Sequence, residues 1–480
     1  MELPGQADIG SKVSIRLHIN HQNSDQREDP IDALFTDILG TLETPTSIRK
    51  KNGELVTFDP TEIALWKVVP STSQQTGIAL YNTQTRRIDP LMAEIGKRVH
   101  IYCCGPTVYR DAHVGNLRTF LLPDLISRIL RFDGWHPVVV QNITDVGHMN
   151  ENFEDKLLEE ATRERRNPID IARDYEARFF TDLDRLNIAP ADRSPRASDS
   201  IPLMQEMISR LIENGVAYVG DDSSVYFSAE TFESYGAISG NRLDSLKPGH
   251  RYEYTDDGDK RFHADWALWK NAGTRTDMVW DSPWGSGFPG WHIECTAMSM
   301  EYLDSRVALH IGGIDLRFPH HENERAQSNS IAHREVVAMW LHGEHLLFEG
   351  RKMAKSSGNV ILVKDIIDRG YDPLALRLAL LESKYRNQLD LSWDSLRAAD
   401  KTLKRWRLRV SEWMAAPAVE KVDISTDIED YMSLIRNDLD FPRALVKLRA
   451  LEKNGEVAPR IKAEIFITLD EILGLKLQSH

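Results

Sequence analysis

Residues 318–328 read FPHHENERAQS, which places two histidines and two glutamates within five positions directly behind a proline. On an α-helix residues four apart share a face, so His320 and Glu324 project together as a candidate pair of metal ligands, while His321 points elsewhere. The same spacing also describes an ordinary solvated pair, and spacing alone does not choose between the two. The chain has three cysteines, Cys103, Cys104 and Cys295, of which two are adjacent. They cannot all pair, so metal ligation or a reactive thiol is a better use of them than a disulfide framework. Upstream, the run CCGPTVYRDAHVGNLRTF passes through glycine into a helix start. There Gly115 permits close backbone approach and the helix N-terminus favours an anion, so a phosphate fits, although glycine at such a turn is also plain turn chemistry. Downstream, GRKMAKSSGNV sets Lys352 and Lys355 in a loop of small residues. Such a loop either closes over a polyphosphate or stays a solvated basic loop.

These groups need elements to hold them. RVHIYCCG is an apolar strand ending in glycine, and the next segment carries helix-period apolar residues at Leu121, Leu125, Ile129 and Leu130. HPVVVQNITDVG is a second strand of the buried type. Strand, glycine turn, helix and strand make a βαβ unit, hence a parallel sheet whose ligand lies beyond the carboxyl ends of its strands. The expected fold class is α/β, a Rossmann-type parallel-sheet catalytic domain over residues 76–372 with an insertion at about 150–280. Its second half runs from GWHIECTAMSM through VVAMWLHGEHLLFEG, and the lysine loop falls at 352–356. From Pro373 the apolar spacing is helical, which predicts a helical bundle over 373–480.

Before this, residues 1–75 alternate apolar and polar positions in KVSIRLHI and SIRKKNGELVTF, with Asn52 and Gly53 as a hairpin turn. A small β-barrel-like domain follows, resembling the SH3-like modules appended to some bacterial acetyltransferases. PSTSQQTG, residues 70–77, reads as the linker.

Composition narrows the class. The 480 residues allow roughly three domains at about 150 residues each. With 41% hydrophobic and 28% charged residues and no apolar run of membrane-spanning length, no membrane association is expected. The start MELPGQADIGSKVSIRL lacks the pattern of a signal peptide, so a cytoplasmic location is expected. A net charge of -14 speaks against a general nucleic-acid coat but permits a local basic surface. KTLKRWRLRV, with Lys404, Arg405 and Arg407, is one candidate: a surface contacting RNA phosphates, or the wet face of an amphipathic helix.

Taken in order, CGPTVY, HVGN, NITDVGH, GWHIEC, HIGGID, FPHHENE and KMAKS resemble the motifs of the cysteine-tRNA ligases, class I aminoacyl-tRNA synthetases, across about 400 residues. HVGN stands where the family has HIGH, and KMAKS stands for KMSKS with Ala354 in place of a serine. The resemblance implies a zinc ion held by Cys104, Cys295, His320 and Glu324, with Cys103 left as a small buried hydrophobe. It implies catalytic roles for His113, Asn116, Lys352 and Lys355. ATP binding falls to His113, Gly115, Asn116, Asp315 and Lys355, with Mg²⁺ accompanying the nucleotide, and the cysteine pocket to Thr144, Trp291 and His310. The implied reaction is ATP-dependent activation of L-cysteine and its transfer to cysteine tRNA, by a monomer. Zinc would select the substrate thiol over the serine hydroxyl, a distinction that an apolar pocket makes poorly.

The pattern departs from the family at three places. NITDVGHM lacks the acidic pair of NITDIDDK, HIGGID brings a bulky Ile311 where the family has HGGGSD, and the chain stops at His480, where many members continue into an anticodon-reading domain. The first two allow a reshaped pocket; the third leaves selection by anticodon open. They also keep a second reading, a ligase joining cysteine to the amine of glucosaminyl inositol in mycothiol synthesis. That enzyme's CGITPYD and FPHHEYS are replaced here by CGPTVYR and FPHHENE. A third reading is a non-catalytic binding protein on a synthetase scaffold.

Overall fold

The computed structural model describes residues 4–5, 12–18, 35–50, 53–68, 74–93, 96–149, 155–246, 259–353, 359–417 and 422–478. The chain divides into two compact units, residues 1–74 with 94–96, and residues 75–93 with 97–480.

In the first unit, strands β1 (Lys12–His18), β2 (Phe35–Thr44), β3 (Ser47–Arg49), β4 (Leu55–Thr57) and β5 (Ile63–Val68) form one antiparallel sheet in the order β4-β3-β2-β1-β5. Period-two alternation buries Val13, Ile15, Leu17, Ile38, Leu42 and Ile48 as its core. Among the described residues no pairing joins β4 to β5.

The second unit begins with a hairpin of β6 (Gln74–Asn82) and β7 (Arg87–Ala93). The expected linker over 70–77 is therefore strand from Gln74 onward. Its polar residues conceal a period of two, in which Thr76, Ile78 and Leu80 are buried and the Thr76 hydroxyl donates to Leu91 O at 3.0 Å.

The βαβ unit consists of β8 (Arg98–Cys103), α1 (Val114–Phe132) and β9 (His136–Gln141), with β8 and β9 parallel in register from Arg98↔His136 to Cys103↔Gln141. The predicted positions Leu121, Leu125, Ile129 and Leu130 are buried on α1. Next come α2 (Lys156–Glu164), α3 (Pro168–Arg185) and α4 (Ile201–Glu213), and an antiparallel sheet of β10 (Ala217–Val219), β11 (Val225–Phe227), β12 (Trp266–Asn271) and β13 (Gly287–Pro289). The chain then returns through α5 (Trp291–Tyr302), β14 (Leu309–Gly313), α6 (His320–Ala332) and β15 (Trp340–Gly343).

The parallel sheet has the order β15-β14-β8-β9. From β8 the chain steps outward to β9 on one side, and it re-enters at β14 on the other. The two neighbours β8 and β14 thus form the switch point of the sheet, beyond whose carboxyl ends a crevice opens.

A three-stranded sheet of β16 (Leu346–Phe348), β17 (Arg351–Lys352) and β18 (Leu389–Leu391) follows, with α7 (Val363–Asp368) and α8 (Pro373–Leu381) between β17 and β18. Then come α9 (Trp393–Ala415), α10 (Ser425–Arg436), α11 (Phe441–Lys453) and α12 (Pro459–Leu473). The expected helical run after Pro373 is thus interrupted by β18, which pairs in parallel with β16. On α9 the basic stretch is neutralised within the chain. Lys404 pairs with Asp400, Arg405 with Glu452 and Arg407 with Asp372. Among the described residues no helix is long and apolar enough to cross a membrane.

Candidate active site

The floor of the crevice starts where β8 ends. Cys103 and Cys104 alternate in direction. Cys103 packs into the core beside Gln141, where burial pushes its thiol up to about 12, while Cys104 turns into the crevice. The next residue has to be glycine. A Cβ on Gly105 would lie 1.6 Å from Asn142 O, so only a bare backbone lets the turn pass the end of β9. Cys104 N donates to Ile311 O at 3.1 Å and Gly105 N to Asn142 Oδ1 at 2.8 Å, which fixes the thiol between β9 and β14.

Two helices bring the other groups. Cys295 lies on the second turn of α5, and its Sγ is 3.8 Å from that of Cys104. His320 and Glu324 share a face of α6, with His320 Nε2 3.1 Å from Glu324 Oε1 and the carboxylate oxygen 3.5 Å from Cys104 Sγ. The candidate ligand atoms of Cys104, Cys295, His320 and Glu324 lie within 4.8 Å of one another, and all four residues are buried. Tetrahedral zinc with bonds of about 2.0–2.3 Å spaces its ligand atoms roughly 3.3–3.8 Å apart, close to the separations present. Glu324 Oε2 is buried without a hydrogen-bond partner. Two thiols, an imidazole and an orphaned carboxylate oxygen form a donor set that zinc fits.

His321 departs from expectation. It was to point away, yet its Nε2 lies 3.3 Å from Cys104 Sγ. The reason is helical: residue 321 is three before Glu324, and i, i+3 and i, i+4 partners occupy one face. His310, on β14, completes a second overlapping group, Cys104, His310, His321 and Glu324. Behind these rings stand histidines that the sequence reading passed over. His320 Nδ1 meets His292 Nδ1 at 2.9 Å, and His321 Nδ1 meets His342 Nε2 at 2.8 Å, whose other nitrogen meets the Thr83 hydroxyl at 2.8 Å. Burial pushes His310 and His342 down to about 3, so both are neutral near pH 7. The signal for these partners was the unusual density of histidine in WHIEC, FPHHE and WLHGEH.

The remaining residues of α6 explain how so polar a helix can be buried. Glu322 accepts from Ile238 N at 3.1 Å and Ser239 N at 2.9 Å, Asn323 accepts from the Tyr235 hydroxyl, and Arg325 donates to Ser234 O at 3.0 Å. One face of α6 therefore serves the thiol cluster and another holds the inserted segment, leaving few polar groups unmet.

The walls carry the other predicted residues. His113 caps α1: its Nδ1 accepts from Asn116 N at 3.2 Å, and Asn116 Oδ1 accepts from His113 N at 3.2 Å. With Nδ1 accepting, the proton of the neutral ring is on Nε2. Burial, reinforced by Arg110, pushes His113 down to about 4. Gly115 sits against Met353, whose Cε would be 2.8 Å from an added Cβ. Asp315 follows β14 in a short 3₁₀ turn. The Thr144 hydroxyl donates to the buried Glu294 at 3.1 Å. Trp291 stacks on His148 at 4.0 Å and lies 4.2 Å from His320. His148 comes from the divergent NITDVGHM and is held by Thr107 and Lys156 at 2.6 Å each, so the altered motif supplies one layer of the wall.

Cys104, His113, Thr144, Trp291, Asp315 and Lys352 all line a single cleft of about 420 Å³. His310 and Glu324 lie behind its floor, both nearly fully buried. Lys355 falls outside the described residues.

The sequence matches the family described as tRNA synthetases class I (C) catalytic domain over residues 91–401. It is 40% identical over 420 residues to the cysteine–tRNA ligase of Thermus thermophilus, covering 83% of this chain and 86% of that one. To the cysteine–tRNA ligase of Chlamydia abortus it is 40% identical over 388 residues, 79% of each. Among solved structures, Mycobacterium tuberculosis methionyl-tRNA synthetase in complex with methionyl-adenylate matches with a TM-score of 0.54 at 15% identity, over 78% of this chain and 89% of that one, a likeness of fold.

Proposed function

The chain belongs to the tRNA synthetase class I (C) family, and we propose from this premise that its cleft activates L-cysteine with ATP and passes the cysteinyl group to tRNA. The observation that carries this reading is the convergence of Cys104, Cys295, His320 and Glu324 under a cleft whose walls hold His113, Asn116 and Lys352.

In the first step the cysteine carboxylate attacks the α-phosphate of ATP in line. One P–O bond forms, another breaks, and pyrophosphate leaves with its charge. The protein's share is positioning and charge stabilisation. At the start of α1 the helix dipole favours the phosphates, and neutral His113 adds its Nε2–H, the capping bond to Nδ1 fixing that tautomer. Lys352 and Lys355 are the cations for the leaving pyrophosphate, Asp315 is the acceptor for the ribose hydroxyls, and Mg²⁺ accompanies the nucleotide.

Cys104, Cys295, His320 and Glu324 would hold zinc, which would supply a soft Lewis acid that favours a thiolate over a serine hydroxyl. Thr144 and Trp291 wall the cysteine side chain, and His310 backs the floor beside Cys104. His292, bonded to His320, keeps that ring oriented with Nε2 toward the ligand cluster. In the second step a ribose hydroxyl at the tRNA terminus attacks the activated carbonyl and releases AMP. The matched relatives are ligases that charge tRNA, which does not favour an amino sugar as acceptor.

The direct test supplies cysteine, ATP and either cysteine tRNA or glucosaminyl inositol to the full chain and measures the acylated product. Acylated tRNA is expected; turnover of the amino sugar with no charged tRNA overturns the assignment.

A further inference from the structure

Arg118 is an arginine buried to 3% exposure one turn into α1. Its Nη1 donates to Glu344 O at 2.9 Å and His345 O at 3.1 Å, and its Nη2 to Lys384 O at 3.0 Å and Asn387 O at 2.7 Å. All four acceptors are carbonyls. Among the described residues the other deeply buried arginines are paired with carboxylates: Arg377 bonds Asp124 at 2.7 Å, and Arg325 bonds Glu335. An arginine bonded only to carbonyls is a costly way to fill a core, so its position calls for a reason other than packing.

The carbonyls belong to two segments far apart in sequence. Residues 344–345 lead into β16 and residues 384–387 lead toward β18. The segments also bond each other, Glu344 N to Tyr385 O at 2.8 Å and Leu389 N to His345 O at 3.4 Å. β16 pairs in turn with β17, where Leu347 faces Lys352. On α1, residues 114, 115 and 118 fall on one face. Val114 N donates to Ile361 O at 2.9 Å, Gly115 abuts Met353, and Arg118 holds the entry to both strands.

We propose that Arg118 is a positioning residue for adenylate formation: by clipping the two strand entries to α1 it fixes the sheet that carries Lys352 relative to His113 and Asn116. The proposal rests on the function proposed above. Burial lowers the Arg118 guanidinium to about 10, opposed by Glu344, so it keeps its charge near neutral pH. Lysine cannot replace it, because one ammonium does not span four carbonyls on two segments as the planar fork does.

The test uses cysteine-dependent ATP–pyrophosphate exchange with the zinc-loaded full chain and the variants Arg118→Lys and Arg118→Ala. The expected result is a kcat lower by roughly tenfold to a hundredfold, as a misplacement of about 1 Å produces, with zinc content and KM for cysteine within about twofold of wild type. Guanidinium chloride at non-denaturing millimolar concentration, against a potassium-matched control, should restore part of kcat in Arg118→Ala. Arg118→Lys retains a charge and a buried stem, so it gives an answer if the alanine variant does not fold. Unchanged kcat in a folded variant overturns the proposal. So does a loss that follows the fall in Tm and disappears when the assay is cooled, since that marks a purely structural role. A wild-type chain without exchange activity would instead sink the proposed function.

Discussion

Cys295 offers a sharp test at the scale of single residues. Its thiol sits 3.8 Å from that of Cys104 at the base of the cleft, and a serine there would offer an oxygen that is a poor zinc ligand at neutral pH. Cys295→Ser is expected to lose bound zinc by elemental analysis. Its preference for cysteine over serine in pyrophosphate exchange should fall to about a hundredfold or less, the range an apolar pocket can reach. His113 gives a pH signature. Its folded pKa of about 4 lies below the ordinary value near 6.5, so the unfolded chain binds the proton more readily. The stability that the neutral ring contributes is present above pH 6.5 and is lost as pH falls toward 4. Asparagine keeps an N-cap but does not titrate. Relative to His113→Asn, the wild type should lose about 2 kcal/mol between pH 7 and pH 5 in urea denaturation. An equal pH response in the two proteins would show that the ring is not held neutral.

Between elements, the decisive contacts are backbone ones. The turn after β8 passes so close to Asn142 that Gly105→Ala must displace either the turn or the end of β9. A cost of roughly 1–3 kcal/mol is expected from overpacking, with weaker zinc binding because Cys104 moves with the turn; thermal denaturation and zinc titration measure the two effects. Retained zinc affinity would show that the turn does not set the thiol. α6 shows how an element with little apolar character can be a core helix. Its charges are divided between the thiol cluster and the insertion loops, so the helix is stable only when both neighbours are folded.

For the molecule as a whole, a fully buried ion pair ties α1 to the helices after the catalytic sheet. Asp124 on α1 accepts from Arg377 on α8 at 2.7 Å, from Arg128 at 2.9 Å and from Ala189 N at 3.0 Å. Asp124→Ala would leave the Arg377 charge buried and uncompensated. A loss of about 3–5 kcal/mol in denaturant unfolding is expected, and a loss under about 1 kcal/mol would mean that the pair is relaxed by other groups. The paired state of Lys404, Arg405 and Arg407 has a related consequence. A basic run in the sequence becomes nearly neutral once Asp400, Glu452 and Asp372 fold onto it, and net composition is a weak guide to where positive potential survives.

The amino-acid sequence by itself determined the βαβ unit, because apolar periodicity and a glycine turn are local patterns, and the helical face shared by His320 and Glu324, because helical spacing is local too. Its ordered motifs also determined the family. Only the tertiary structure decided that His321 turns inward with His320, that His292 and His342 stand behind them, that His148 stacks on Trp291, and that Arg118 joins strand entries more than two hundred residues away. The physical reason is common to all of them. A buried polar group takes its role from the partner that satisfies it, and when that partner comes from a distant segment no local spacing records it.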